Sequence, residues 1–284
     1  MPYNKAAVFR RIAENNSTEN FIEFAVFMRR VRQLSFFNSG LIYLQRPGAL
    51  YVLNEAGWEK VGRFVRPEAT PIIITVPFGP VEFVYDLNDT YGAPFQGLDR
   101  DSFMAPPPVA FGESNLRPAI EMIRRMGIYF TTTDGYGASK EGSARLLDQP
   151  IKVTYMENKK VVEVYTRFAI IVDNKLPDAE KVRVIFHEIG HILCGHFGYV
   201  PEDKKENKKM VRIPERDVTG FTKFMQEYEA EKVCELFCSL LGYEYDSRSY
   251  LADYEKGDEQ PDKDNRFYIM NAVDTLLHYW DKAN

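Results

Sequence analysis

Apolar and polar positions along the first third of the chain repeat with the periods of short helices and strands. Residues 18–34 place apolar side chains at helical spacing, and residues 56–63 indicate a shorter helix. Residues 71–77 and 81–85 are rich in Ile, Val and Phe and flank a tight connection, which is typical of paired strands. This pattern predicts a small α+β unit.

The second half of the chain shows a different order of elements. Residues 116–126 have the spacing of a helix. Residues 151–156 and 161–165 predict two strands joined by a hairpin turn, and residues 167–173 predict a third strand. We then expect a helix to begin at Pro177, because proline is tolerated in the first helical turn, and to bury its apolar side.

Between these halves, residues 99–115 lack a periodic pattern and contain three consecutive prolines, Pro106–Pro108. Consecutive prolines remove backbone donors and stiffen the chain, so we expect the domain boundary here. A chain of 284 residues that is 45% hydrophobic can form two ordinary domains. The prediction is an α+β protein with a small N-terminal domain over residues 1–105 and a second domain over residues 106–284.

The clearest chemical motif lies in the second domain, where two histidines are four positions apart and a glutamate follows the first. On a helix, this spacing puts His187 and His191 on one face, where both rings can bind a single ion. Glu188 projects about 100° away from His187. From there it can reach water at the metal and act as the general base. The motif therefore predicts a zinc site with one ion per chain.

A catalytic zinc site typically has three protein ligands, so a third must come from elsewhere. The acidic, helix-like segment 226–235 is the best source. Glu227 and Glu231 are one turn apart, so one can bind the metal while the other supports a histidine ligand through a hydrogen bond. Glu231 and Glu235 repeat this spacing. Spacing alone therefore does not decide which glutamate binds the metal, because the assignment can shift by one helical turn.

One further histidine and the three cysteines lie near these segments. His196 follows His191 by five positions and would face away from it on a continuous helix, which favours a structural role. Cys194, Cys234 and Cys238 are odd in number and lack the spacing of a disulfide framework. We expect the last two to pack in the core, and the cysteine usage indicates a reducing cytoplasm.

Charge and hydropathy narrow the classes of partner. The net charge of −5 offers no strong field for a polyanion, but residues 1–66 hold ten Lys or Arg against five Asp or Glu. A basic N-terminal part is compatible with nucleic acid or with a solvated surface. No apolar run approaches the roughly 18 residues of a membrane span, and no signal-peptide pattern is visible. We expect a cytoplasmic protein that does not bind membranes.

Scattered positions over residues 5–95 resemble the N-terminal domain of ArdC-type antirestriction proteins. The positions that carry the resemblance are Asn38-Ser39, Leu41-Ile42, Leu44-Gln45, Pro47, Trp58, Gly62-Arg63, Val65, 72–77 and 83–86. Arg66-Pro67-Glu68 departs from the family, which usually has a Lys-Gly-Glu turn there. The resemblance implies that this domain binds single-stranded DNA.

Such binding requires cations along the phosphates and aromatic faces on which bases stack. Four cations are candidates for phosphate contacts: Arg46, Lys60, Arg63 and Arg66. Trp58 or Tyr43 could stack on bases. A lone tryptophan in an apolar setting is also a common core residue, so Trp58 has two interpretations.

The run Phe186–His196 resembles the ImmA/IrrE metallopeptidase family, whose core the C-terminal domains of ArdC-type proteins share. The segment from Glu227 to Gly242 is similar to the second metal helix of that family. The resemblance, over about residues 117–245, implies that Glu227 is the third ligand and that Glu231 supports a histidine. It also implies a zincin-like domain, in which a short antiparallel sheet packs on the two metal-ligand helices.

Motif and resemblance together imply a zinc metallopeptidase of a mobile-element or regulatory type that cleaves a protein partner. In many HExxH peptidases an edge strand beside the zinc pairs with an extended substrate, and strand 167–173 is a candidate. An ordinary interior strand fits the same residues. The alternative function is that of a single-stranded-DNA-binding antirestriction protein in which the zinc site mainly orders the fold.

Overall fold

The fold is seen in a computed structural model and belongs to the α+β class, as predicted. The residues that the structure describes are 27, 31, 34–76, 81–96, 112, 115–136, 140–200, 211–243, 245 and 265–283. They form two compact units, one mainly of residues up to 108 and the other mainly of residues from 109 on. Most of the predicted helix over residues 18–34 and of the proline-containing segment 99–115 lies outside the described residues.

The first unit combines short helices with two small antiparallel sheets. Its described elements are α1 (Phe36–Gln45), β1 (Val52–Leu53), α2 (Glu55–Lys60), β2 (Arg63–Val65), β3 (Ile72–Ile74), β4 (Glu82–Asp86) and β5 (Thr90–Gly92). The strand orders are β1-β4-β3 and β2-β5. The predicted pair of apolar strands is confirmed as β3 and β4, and the predicted short helix is α2.

The core of the first unit contains Trp58, which α2 turns inward. Its side chain is fully buried, and its indole N–H donates to the Tyr85 carbonyl at 2.9 Å. The rings of Tyr51 and Phe95 lie against it, with centroids 6.0 and 5.2 Å away. Tyr43 is also buried. The proposal that Trp58 or Tyr43 stacks on bases is therefore wrong, because neither ring has an exposed face.

The second unit packs helices against one mixed sheet. Its described elements are α3 (Leu116–Arg125), β6 (Tyr129–Thr133), β7 (Gly142–Glu157), β8 (Lys160–Asp173), α4 (Asp178–Leu193), α5 (Lys223–Leu241) and α6 (Asn265–Ala283). The strand order is β6-β8-β7, with β8 parallel to β6 and antiparallel to β7. None of the helices in the described part of the chain is long and apolar enough to cross a membrane.

Strand β8 corrects the expectation of two separate strands and decides between the two interpretations of residues 167–173 in favour of the interior one. Residues 161–165 and 167–173 belong to this one strand, and it lies in the middle of the described sheet rather than at its edge. Its second half is nearly continuously buried, as in a strand covered on both faces. The predicted hairpin turn is present, with positive φ at Asn158 and Lys159, as a two-residue turn of the primed type requires. In the described sheet, β6 and β7 are the two edge strands.

Helices α4 and α5 approach each other closely at Gly190. A Cβ atom at this position would lie 2.8 Å from the Cα atom of Ala230, so glycine is needed for the contact. The same interface is filled by Phe186 and Phe237, whose ring centroids are 4.8 Å apart. This packing places the motif-bearing turns of α4 directly beside the acidic turns of α5.

Candidate metal centre

The two helices bring three ligand-type side chains to one point. His187 and His191 lie one turn apart on α4, and their Nε2 atoms are 3.1 Å apart. Glu227 comes from α5, with its Oε2 atom 3.2 Å from Nε2 of His187 and 3.7 Å from Nε2 of His191. Each residue therefore directs one possible ligand atom at a shared position.

The spacing of these three atoms fits a bound divalent ion. Ligand atoms about 2.0–2.1 Å from a tetrahedral zinc ion lie roughly 3.3 Å from one another. The observed separations of 3.1, 3.2 and 3.7 Å are close to that value. Two imidazole nitrogens and one carboxylate oxygen suit zinc and several other divalent ions. The residues therefore fit a metal ion without repositioning of the helices.

His187 is held from the side opposite the three ligand atoms. Its Nδ1 atom lies 2.9 Å from Oε2 of the fully buried Glu231, and the Tyr245 hydroxyl donates to the other oxygen of that carboxylate. When Nδ1–H donates to a carboxylate, Nε2 carries the lone pair that a metal needs. Glu231 thus fixes both the orientation and the tautomer of His187.

The structure separates the glutamates that helical spacing could not distinguish. Glu227 lies beside both Nε2 atoms, and Glu231 lies on the Nδ1 side of His187. Glu235 is instead paired with Lys232 at 2.5 Å. The placement agrees with the register that the ImmA/IrrE resemblance implies, in which Glu227 is the ligand.

The carboxylates give the centre a negative electrostatic environment. Burial alone would lower the pKa of His187, but hydrogen bonds to Glu227 and Glu231 and the charge of Glu188 raise it to about 10. Burial would raise the pKa of Glu227, yet the neighbouring histidines hold it well below its usual range. The site therefore stabilises positive charge.

Glu188 is buried beside the ligands and is bound to strand β7. Its Oε2 atom accepts a hydrogen bond from the backbone N–H of Ala144 at 2.6 Å. Gly142 makes room for this approach, since a Cβ atom there would clash with Val184 and lie 3.3 Å from Oε1 of Glu188. The candidate general base is thus attached to an edge strand of the described sheet.

A second buried cluster adjoins the centre and was missed from the sequence. It contains Cys194, His196 and Glu229, and Arg216 donates to both oxygens of Glu229 at 2.6 and 2.9 Å. Burial lowers the pKa of His196, although its hydrogen bond to Glu229 opposes the shift. No sequence spacing links Arg216 with Glu229, because the residues meet only through the tertiary fold.

The other two cysteines pack in the core, as predicted. Cys234 and Cys238 are buried free thiols with Sγ atoms 3.9 Å apart. Burial raises the pKa of the Cys238 thiol well above its ordinary value. Within the described part of the chain, neither cysteine belongs to a group of converging ligand atoms.

Two of the four candidate phosphate-binding cations are engaged within the first unit. Arg46 forms an ion pair with Asp89. Arg63 donates from Nε to the Thr90 hydroxyl at 2.8 Å and from Nη1 to the Ala93 carbonyl at 2.5 Å. These contacts give both guanidinium groups a structural role within the first unit.

The other two cations, Lys60 and Arg66, are exposed. Arg66 lies beside a pair of exposed aromatic rings that was not recognised in the sequence. Phe64 on β2 and Tyr91 on β5 face each other in the register, are 49% and 50% exposed, and have ring centroids 5.9 Å apart. The Arg66 guanidinium lies 5.9 Å from the Tyr91 centroid. We call Phe64, Tyr91 and Arg66 the aromatic patch.

Comparisons with known proteins add a distant structural likeness. No protein-family model and no curated protein matches the chain. The Mn(II)-bound crystal structure of antirestriction ArdC protein from the R388 plasmid is 13% identical, with a TM-score of 0.40, and the match covers 96% of this chain and 98% of that one. The metal-free structure is 14% identical, with a TM-score of 0.36 and coverages of 87% and 85%. A structural likeness at these TM-scores carries no information about function.

Proposed function

We propose that the chain is a metal-dependent hydrolase whose centre is formed by His187, His191 and Glu227. The convergence of their three ligand atoms, with separations of 3.1–3.7 Å, is the observation that carries this proposal. Zinc is the expected ion, because this donor set and its compact spacing suit a tetrahedral site.

The residues around the centre supply the parts that hydrolysis requires. A divalent ion held there would act as a Lewis acid that polarises a carbonyl oxygen and lowers the pKa of water toward about 7. The carboxylate of Glu188 serves as the general base, accepting a proton from the attacking water and returning it to the departing amine. Glu231 keeps the His187 ring in its ligand orientation.

Strand β7 supports a peptide as the substrate class. It has a free edge in the described sheet, and Glu188 is bound to the Ala144 amide of this strand. An extended peptide can add to a free strand edge through main-chain hydrogen bonds. The Ala144 amide is bound by Glu188, so a peptide that pairs with the neighbouring residues of β7 would lie beside the general base.

Removal of the metal ion tests this proposal. Chelation should reduce cleavage of a peptide library by the purified chain to background, because the Lewis acid is lost, and one equivalent of zinc should restore it. Cleavage products are identified by mass spectrometry. Hydrolysis that persists unchanged after complete chelation, verified by elemental analysis, would contradict a metal-dependent mechanism.

A second candidate function is single-stranded-DNA binding by the first unit, as the ArdC resemblance of the sequence implies, with a mainly structural metal centre. The aromatic patch supports this candidate. Bases of any sequence can stack on exposed aromatic rings, and a nearby cation can contact the phosphates. Phe64 and Tyr91 provide two adjacent exposed rings, and Arg66 provides the cation beside them.

The Phe64→Ala and Tyr91→Ala variants should each bind single-stranded DNA about 5-fold to 150-fold more weakly, because a stacked base contributes about 1–3 kcal/mol. The measurement is fluorescence anisotropy with labelled oligothymidine at fixed salt. Phe83→Ala is the matched control, since Phe83 is 51% exposed on strand β4, outside the patch. Equal losses in the patch and control variants would contradict the assignment.

A further inference from the structure

The chain reverses direction at the end of α4, and this reversal places His196 beside the metal centre. The helix ends at Leu193, and Gly195 follows with φ of +74°. The His196 amide donates to the His191 carbonyl at 3.1 Å, and the Gly195 amide donates to the Ile192 carbonyl at 3.0 Å. These two bonds are those of a Schellman motif, in which the chain reverses direction through a left-handed residue. His196 therefore lies outside the helix, and the helical rotation that would have turned its side chain away from His191 does not apply.

The reversed chain brings the two imidazole rings into direct contact. Nδ1 of His196 lies 2.9 Å from Nδ1 of His191, and Nε2 of His196 lies 3.0 Å from Oε2 of Glu229. If His191 presents an Nε2 lone pair to a metal, its proton resides on Nδ1 and is donated to Nδ1 of His196. The proton of His196 then resides on Nε2 and is donated to Glu229. Every donor in this chain of hydrogen bonds has one acceptor.

Arg216 holds the far end of this chain in place. It donates to both oxygens of Glu229 and also to the Cys194 carbonyl at 3.1 Å. Its guanidinium lies 3.7 Å from the ring centroid of Tyr268 and 4.4 Å from that of Phe221. Planar bidentate pairing and aromatic stacking together restrict the guanidinium to one orientation. The buried Glu229 carboxylate is consequently fixed as well.

A second metal ion at Cys194, His196 and Glu229 is a competing explanation for this cluster. Their ligand atoms lie within 4.8 Å of one another. However, both oxygens of Glu229 already accept hydrogen bonds from a buried guanidinium. A cation added beside Arg216 would compete with it for the same carboxylate and repel its charge. The cluster is better suited to support His191 than to bind an ion.

We propose that His196 is a positioning residue that fixes the ring orientation and the Nδ1–H tautomer of His191, with Glu229 and Arg216 holding His196 in place. This role rests on the proposed metal centre. It mirrors the arrangement on the other histidine, where Glu231 contacts Nδ1 of His187 at 2.9 Å. Partners of this kind commonly change metal affinity 10-fold to 100-fold when they are removed.

The test compares metal affinities of the full-length chain by titration with Co(II) in competition with a chromophoric chelator. His196→Ala should bind Co(II) about 10-fold to 100-fold more weakly than the unaltered chain and should show altered ligand-field absorption bands. His278→Ala is the control, because His278 is exposed on α6 and its removal should change neither quantity. Far-ultraviolet circular dichroism of the metal-free proteins verifies that each variant is folded.

Two conservative variants test the same role of His196 if His196→Ala fails to fold. In His196→Asn the amide oxygen takes the place of Nδ1 and can accept from His191, so part of the lost affinity should return. In His196→Gln the amide takes the place of Nε2 and reaches only Glu229, so less should return. Unchanged affinity and absorption bands in folded His196 variants would overturn the positioning role alone. An unaltered chain that binds no Co(II) would overturn the proposed metal centre together with it.

Discussion

The Glu188→Gln variant should retain its metal ion and hydrolyse peptides about 10²-fold to 10⁴-fold more slowly, the usual contribution of a general base. The amide of glutamine cannot accept the proton of the attacking water. Its oxygen can still accept the hydrogen bond from the Ala144 amide, which is 2.6 Å long in the unaltered chain. The fold and the three ligands should therefore remain in place. Cleavage rates and metal content are measured on the same samples.

Glu180→Gln provides the matched control on the same helix. Glu180 is exposed and forms a long ion pair of 3.4 Å with Arg183, so the same chemical change there should leave cleavage unaffected. A Glu188→Gln variant that retains its metal and cleaves peptides at the unaltered rate would rule out Glu188 as the base. If the Glu188→Gln variant still bound single-stranded DNA with unchanged affinity, DNA binding would be independent of hydrolysis.

The Glu227→Gln variant should bind zinc or cobalt more than about 100-fold more weakly, since even partners behind a ligand commonly contribute 10-fold to 100-fold. The substitution removes the charged oxygen that lies 3.2 and 3.7 Å from the two histidine Nε2 atoms. It keeps the size of the side chain and so preserves the packing of α5. Metal affinity is measured by competition titration, and cleavage should fall in parallel with occupancy.

Two further variants of α5 distinguish a ligand from its neighbours. Glu231→Gln should weaken metal binding by about 10-fold to 100-fold, because Glu231 orients His187 without contacting the ion. Glu235→Gln should have no effect, since Glu235 pairs with Lys232. A larger loss in Glu231→Gln than in Glu227→Gln would reverse the roles assigned to these residues.

The parts of the site that sequence could predict depend on local geometry. His187 and His191 share a helix, so their four-residue spacing alone places both rings on one face. The spacing of Glu227 and Glu231 agrees with the observed arrangement, in which Glu227 lies beside both histidine Nε2 atoms and Glu231 lies behind His187. The choice between them required the packing of two helices, whose approach depends on the contact between Gly190 and Ala230.

The parts that sequence could not predict depend on long-range contacts or on where an element ends. His196 was expected to face away from His191, because five helical positions rotate it by about 140° beyond a full turn. The helix ends before it, and Gly195 reverses the chain. Arg46 and Arg63 resembled free cations only because their partners, Asp89 and Thr90, lie more than twenty positions away.

The choice between an interior and an edge position for residues 167–173 also required the structure. The apolar run 167–173 indicated a strand, but an apolar strand is equally compatible with the middle and the edge of a sheet. The structure places β8 in the middle and β6 and β7 at the two edges of the described sheet, and the Ala144 amide of β7 contacts Glu188. Because β7 precedes α4 by a full strand, its proximity to the motif could not be inferred from adjacency along the chain.

The most direct measurement is anomalous X-ray diffraction from crystals of the zinc-loaded chain, recorded on both sides of the zinc absorption edge. One strong peak per chain is expected, about 2.0–2.2 Å from Nε2 of His187, Nε2 of His191 and a carboxylate oxygen of Glu227. A peak among Cys194, His196 and Glu229 instead, or no peak in crystals soaked with excess zinc, would contradict a metal centre at His187, His191 and Glu227.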